Sequence, residues 1–340
     1  MKKVDRRQFL RGAVATGMAG AAAAPRSAEA FAPRAPLPLP PKAVGILYDS
    51  TLCVGCKACV DACKSANDMP NEIPAHLKRW NEDIWDTAED LSGDTLNVIK
   101  TYLDGDATEK DRQKDGYAFM KRHCLPCVDP SCVSVCPVSA MQKDPETGIV
   151  SHDPDACIGC RYCVYGCPFG VPQYELNDAF GQIQKCQFCA HLQAKGEVPA
   201  CCDVCPTGAS LFGTVDDLQK EAENRLAGKP GDAYVYPRGE LGKGRPPHEK
   251  PLPKYQPAVY GVDDGGGTQV RYLSAVSFQS LGLPKLPKTA FSAVSEGIQH
   301  TLYKGMIAPI ALLAGLVFFA RRSAVKQAES EGREDSGERS

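Results

Sequence analysis

Cys53-Val54-Gly55-Cys56-Lys57-Ala58-Cys59-Val60-Asp61-Ala62-Cys63 and Cys157-Ile158-Gly159-Cys160-Arg161-Tyr162-Cys163-Val164-Tyr165-Gly166-Cys167-Pro168 carry one spacing twice, C-x2-C-x2-C-x3-C. Two further quartets are variants of it. One is Cys124-x2-Cys127-x4-Cys132-x3-Cys136, followed by Pro137. The other is Cys186-x2-Cys189-x11-Cys201-x3-Cys205, followed by Pro206. Of the 17 cysteines, these quartets leave over only Cys202, and all lie between positions 53 and 205. So local a concentration needs a local chemical reason.

A cubane iron–sulfur cluster needs thiolates at the corners of a compact tetrahedron. A C-x2-C-x2-C turn wraps three sulfurs around one face of it, and the fourth ligand comes from elsewhere in the chain. Gly55 and Gly159 let backbone come close to the cluster. Disulfides compete poorly, because four thiols within eleven residues make no unstrained long-range bridges and the total is odd. Zinc sites pair two distant C-x2-C knuckles without a third cysteine two residues on. Cys132 fills the third position of the second quartet, so all four quartets are complete and the expectation is four 4Fe–4S clusters. Either Cys201 or Cys202 could complete the last quartet. The x3 step to Cys205 repeats that from Cys132 to Cys136 and selects Cys201, leaving Cys202 as a small apolar filler.

Outside the cysteines, Arg6 and Arg7 open a basic stretch that also holds Phe9 and Leu10. An Ala- and Gly-rich run and Ala28-Glu29-Ala30 follow. These are the parts of a signal peptide, and the paired arginines resemble the twin-arginine export signal. Residues 31–41 are Pro-rich and read as an extended linker. Short strands are expected at 44–48, 211–215 and 270–278, and a helix over 216–227 with Gly228 at its end. Residues 67–113 form a polar insertion with Trp80 and Trp85, and 230–257, rich in Pro, Gly and charge, are expected to be mostly irregular. Residues 306–320 carry no charge. At ~1.5 Å per residue they span about 22 Å, and including 302–305 brings the helix close to a ~30 Å hydrocarbon core. Arg321, Arg322 and Lys326 place the following end on the cytoplasmic side. Residues 329–340 read as a charged, disordered tail.

A net charge of −2 gives no support to nucleic-acid binding. The six histidines, 76, 123, 152, 191, 248 and 300, are scattered. His123 could tune the cluster beside Cys124, though a surface histidine is the plainer reading. His300 could face a quinone or a partner, though an interfacial polar residue is the plainer one. Neither the cysteines nor the histidines leave a second metal constellation, so no substrate-converting site is expected.

At the cysteine quartets the chain resembles the four-cluster ferredoxin-type subunits of membrane-bound respiratory oxidoreductases, over about residues 44–227. The stretch Gly265-Gly266-Gly267-Thr268-Gln269-Val270, residues 298–305 and the apolar tail bring the resemblance closer to the hydrogenase-2 iron–sulfur subunit family. Tail-anchored formate dehydrogenase beta subunits are the nearest alternative. The resemblance implies an α+β fold of two intertwined bacterial ferredoxin-like 4Fe–4S domains with insertions, plus a single C-terminal transmembrane helix. It divides the chain into a signal peptide (1–30), a linker (31–43), a double ferredoxin-like four-cluster region (44–232), an irregular extension (233–300), a transmembrane helix (301–321) and a cytoplasmic tail (322–340).

The resemblance also implies which quartets interlock. Cys53, Cys56 and Cys59 take Cys205, and Cys186, Cys189 and Cys201 take Cys63. Cys124, Cys127 and Cys132 take Cys167, and Cys157, Cys160 and Cys163 take Cys136. Pairing of group one with two and three with four is the rival arrangement. The implied function is electron transfer without catalysis, on the periplasmic side of the cytoplasmic membrane. Electrons would pass from the small and large subunits of a nickel–iron hydrogenase to an integral membrane quinone-reacting subunit.

Overall fold

Val44–Asp49 (β1) is the strand from which the fold is built. Its side chains alternate between two cores, as period-two geometry requires. Ile46 and Tyr48 join the cysteine-containing core, while Leu47 joins Leu211, Leu218, Ala222 and Leu273 on the other face. The computed structural model describes residues 32–70, 90–175 and 181–334. The twin-arginine segment, Trp80, Trp85 and the last residues of the tail lie outside them.

In chain order the next elements are α1 (Ala58–Ala66), β2 (Val98–Leu103), β3 (Glu109–Lys110) and β4 (Gly116–Arg122). Then come α2 (Ser131–Ser134), β5 (Met141–Lys143), β6 (Val150–His152), α3 (Tyr162–Gly166), β7 (Gln173–Tyr174) and β8 (Ile183–Gln184). The chain continues through α4 (Ala190–Gln193), α5 (Ala200–Asp203), β9 (Ser210–Thr214), α6 (Val215–Ala227), β10 (Ala233–Glu240), β11 (Arg245–Pro251) and β12 (Val270–Leu273). A 44-residue helix, α7 (Phe291–Glu334), ends it.

The main sheet has the order β11-β10-β9-β1-β12. β1 runs antiparallel to β9, with Ile46 opposite Phe212, and parallel to β12, with Ile46 opposite Val270. Helix α6 covers one face. Thr214 caps it by accepting from the Asp217 N–H, and Asp216 and Asp217 suit the positive end of its dipole. Gly228 ends it in an extended conformation, so no left-handed cap is needed.

Three expectations need correction. The Pro-rich stretch 230–257 contains the β10–β11 hairpin. Its prolines sit where a sheet tolerates them: Pro246, Pro247 and Pro251 on the outermost strand, and Pro237 at the register shift between Tyr236 and Arg238. The polar insertion contributes β2, which pairs with β4 from Val98↔Arg122 to Leu103↔Tyr117. Helix α7 continues to Glu334, past the point where disorder was expected, because Ala, Gln, Glu, Lys and Arg all favour helix.

The chain divides into two units. Ala35–Ala293 holds every cysteine. The second unit holds the residues before and after it, including most of α7. Within Phe291–Val325 the most apolar 18-residue window has a mean hydropathy of 1.9 and none of it is buried, so among the described residues one helix is long and apolar enough to cross a membrane.

Candidate functional site

The loops preceding the short helices owe their shape to backbone conformations that bring cysteines to one side. In the first, Gly55 (φ 69°) and Lys57 (φ 58°) are left-handed; in the third, Gly159 (φ 68°) and Arg161 (φ 63°) repeat them. A Cβ on Gly55 would also lie 2.5 Å from the Phe119 ring, so packing as well as φ demands glycine there. The second and fourth groups share a different device. Pro130 and Pro199 each precede a four-residue helix whose second residue is Cys132 or Cys201. Cys136 and Cys205 follow those helices at the same distance.

Packing then interleaves the groups. Helix α1 of the first group packs on α5 of the fourth, and α2 of the second packs on α3 of the third. One cavity is lined by Cys53, Cys56, Cys59 and Cys205 with Tyr48 and Ile99. Another is lined by Cys136, Cys157, Cys160 and Cys163 with His152 and Ile183. Cys63 lies among Cys186, Cys189 and Cys201, and Cys127 among Cys124, Cys132 and Cys167. These sites are called one, four, two and three after the group supplying most of each. Neighbouring sites also meet: Cys59 is within electrostatic range of Cys201, Cys124 of Cys186 and Cys132 of Cys163.

The donor set suits a thiolate-bound cluster. Among the described residues, no three His, Cys, Asp or Glu side chains gather closely enough for a single metal ion. The cysteines instead surround wider, largely apolar spaces. Backbone N–H groups of Met141 and Gly159 approach the sulfurs of Cys136 and Cys157 at 3.5 Å, and the Asn67 amide approaches that of Cys63 at 3.7 Å. Burial pushes the thiols of Cys59, Cys132 and Cys189 up to about 12 and that of Cys163 to about 11. Cys201 is the exception: a hydrogen bond from Cys202, reinforced by Lys121, holds it well below the usual thiol range. Cys202 is fully buried, and burial pushes its thiol up. Cys56 and Cys160 are exposed, so sites one and four reach the surface, whereas Cys63, Cys124, Cys189 and Cys201 of the inner sites are buried.

Polar residues the spacing does not reveal surround these sites. His123 is buried, with Nδ1 2.7 Å from the Cys124 carbonyl and Nε2 unpartnered, so it is no surface histidine. His300 is exposed. Asn97 donates to the Cys59 carbonyl at 3.0 Å. Lys121 and Lys185 are buried, and Lys143 donates to the carbonyls of Cys127 and Val128 at 2.7 Å. The alternation of β4 places Ala118 and Met120 inward but gives no sign that Lys121 is buried too.

Interleaved cysteine quartets in an α+β frame define an iron–sulfur protein of ferredoxin type, and the 4Fe-4S dicluster domain family matches residues 116–215. Over 94% of its length the chain is 46% identical to Hydrogenase-2 operon protein HybA of Escherichia coli O157:H7, covering 96% of that protein. It is 32% identical, over 81% of its length and 83% of the relative, to the nitrate-inducible formate dehydrogenase iron–sulfur subunit of Escherichia coli K12. A similar match, 32% over 82% of the chain and 80% of the relative, is to the formate dehydrogenase-O iron–sulfur subunit of the same organism. The chain belongs to the HybA family of iron–sulfur proteins.

Proposed function

We propose that this protein is the electron-transfer subunit of a hydrogenase-2-type complex. The observation that carries the reading is 46% identity to HybA across 94% of the chain. The formate dehydrogenase relatives, at 32% and with less of the chain covered, fit less well.

Four 4Fe–4S clusters are assigned to four ligand sets. Cys53, Cys56, Cys59 and Cys205 form the first, and Cys63, Cys186, Cys189 and Cys201 the second. Cys124, Cys127, Cys132 and Cys167 form the third, and Cys136, Cys157, Cys160 and Cys163 the fourth. The packing of α1 on α5 and of α2 on α3 favours this interleaving over pairing of adjacent groups. Such clusters supply one-electron transfer when bound. The chain anchors them, excludes water from the inner two and sets their potentials through hydrogen bonds, charge and burial. The contacts between neighbouring sites support the series one, two, three, four, with exposed Cys56 and Cys160 at its ends. No catalytic residue is assigned.

The donor is a nickel–iron hydrogenase heterodimer and the acceptor an integral membrane quinone-reacting subunit. Export by the twin-arginine signal, with residues 301–321 crossing the membrane and 322–340 in the cytoplasm, puts the clusters on the periplasmic side. The unburied apolar helix supports this topology.

Affinity isolation from solubilised membranes tests the reading. A co-purifying nickel–iron hydrogenase pair with hydrogen-dependent quinone reduction is the expected result. A molybdopterin subunit oxidising formate would keep the iron–sulfur wire and overturn the partner.

A further inference from the structure

Lys121 and Lys185 are 0% and 2% exposed, yet among the described residues neither has a carboxylate to pair with. Lys121 Nζ donates to Ser210 Oγ at 3.1 Å, and Ser210 lines the cavity of site one. The same ammonium lies within electrostatic range of Cys201 of site two and of Cys59 of site one. Lys185 Nζ donates to the carbonyls of Val150 and, at 3.1 Å, Cys186. Its charge acts on Cys186 of site two and on Cys124, Cys132 and Cys167 of site three. A buried cation without an anion costs several kcal/mol. With clusters bound, the compensating anions would be the thiolate-ligated centres themselves. Each lysine therefore acts on cysteines of two successive sites.

We infer that Lys121 and Lys185 are positioning charges shared between neighbouring cluster sites, Lys121 by sites one and two and Lys185 by sites two and three. The inference rests on the four-cluster assignment. A cluster gains one negative charge when it accepts an electron, so a fixed ammonium beside it favours the reduced form. One cation between two sites raises both potentials together, which leaves the step between them unchanged while making both clusters easier to reduce. Burial strengthens the effect, because little water screens the charge.

Redox titration of the full-length, cluster-loaded protein, followed by the electron paramagnetic resonance of reduced clusters, tests this. In Lys121→Met two of the four midpoints should fall together, each by about tenfold in its reduction equilibrium, or about 59 mV for one electron. In Lys185→Met two should also fall, and the two pairs should have one member in common, the cluster at site two. Unchanged midpoints, a single shifted midpoint or two pairs without a common member would overturn the inference. Iron and sulfide content is measured alongside. A wild-type protein with fewer than four clusters would defeat the ligand assignment instead. If one variant fails to load iron, the other decides. Failure of both would give the lysines a folding role and overturn the tuning role.

Discussion

Replacing Arg225 with Met removes one half of an ion pair that has no access to water. Arg225 Nη1 donates to Asp49 Oδ2 at 3.0 Å, and both side chains are 0% exposed. Nε also donates to Glu221 at 2.9 Å, and the guanidinium lies 4.9 Å from the Tyr236 ring centre. Asp49 keeps the Tyr255 hydroxyl at 2.6 Å and, on its other oxygen, the N–H and hydroxyl of Thr51 at 3.0 and 2.6 Å. These neutral donors do not cancel its charge. An uncompensated buried carboxylate costs about 3–5 kcal/mol. With a urea dependence of about 3 kcal/mol per molar, that is a fall of about 1 M or more in the apparent midpoint. Because Asp49 sets the turn that leads through Thr51 to Cys53, loss of cluster absorbance at site one should accompany the transition. Urea titration of the loaded protein, read by circular dichroism and visible absorbance, makes the measurement. Asp49→Asn/Arg225→Met should recover a large part of the loss. A single variant within about 0.3 M of wild type would refute the reasoning.

Cys201→Ser should lose one cluster by iron and sulfide analysis, whereas Cys202→Ser should keep the full complement; the reverse result would exchange the ligand assignment. Replacing Arg6 and Arg7 together with Lys should strand the folded protein in the cytoplasm, and unchanged periplasmic delivery would defeat the export reading. Deletion from Leu302 onward, in cells lacking the partner subunits, should move a cluster-loaded protein from the membrane to the soluble fraction.

What was legible in the sequence followed strong local rules. Cysteine spacing identified the chemistry, and apolar runs located β1 and β9 to within a residue or two. Asp216 and Asp217 suited the start of α6, while the Thr214 cap before them was not read from the sequence. What escaped depended on neighbours distant in the chain. The β10–β11 hairpin hides behind prolines that only an edge strand or a bulge accommodates. The insertion looked polar because β2 buries just its first two residues fully and leaves Lys100 half-buried and Thr101 exposed. His123 and Lys121 belong to residue types usually exposed, and nothing in a linear pattern distinguishes them from surface residues. Lys121 lies near the end of β4 within electrostatic range of Cys59 and Cys201, and His123 follows just past that end.

The pairing of β1 with β9 and β12 has a consequence for biosynthesis. The strand that leads into the first cysteine loop emerges early from the ribosome, but its partners are residues 210–214 and 270–273. Until those are synthesised, β1 has two open edges, and Cys53, Cys56 and Cys59 lack the helix that packs against their own. The second and third groups, joined by contacts over a short stretch of chain, can assemble sooner. Maturation should therefore proceed from the middle of the chain outward, with the earliest-translated quartet closing last. A nascent chain stalled before residue 270 would expose an unpaired strand, giving quality control a means to tell an unfinished protein from one ready for export.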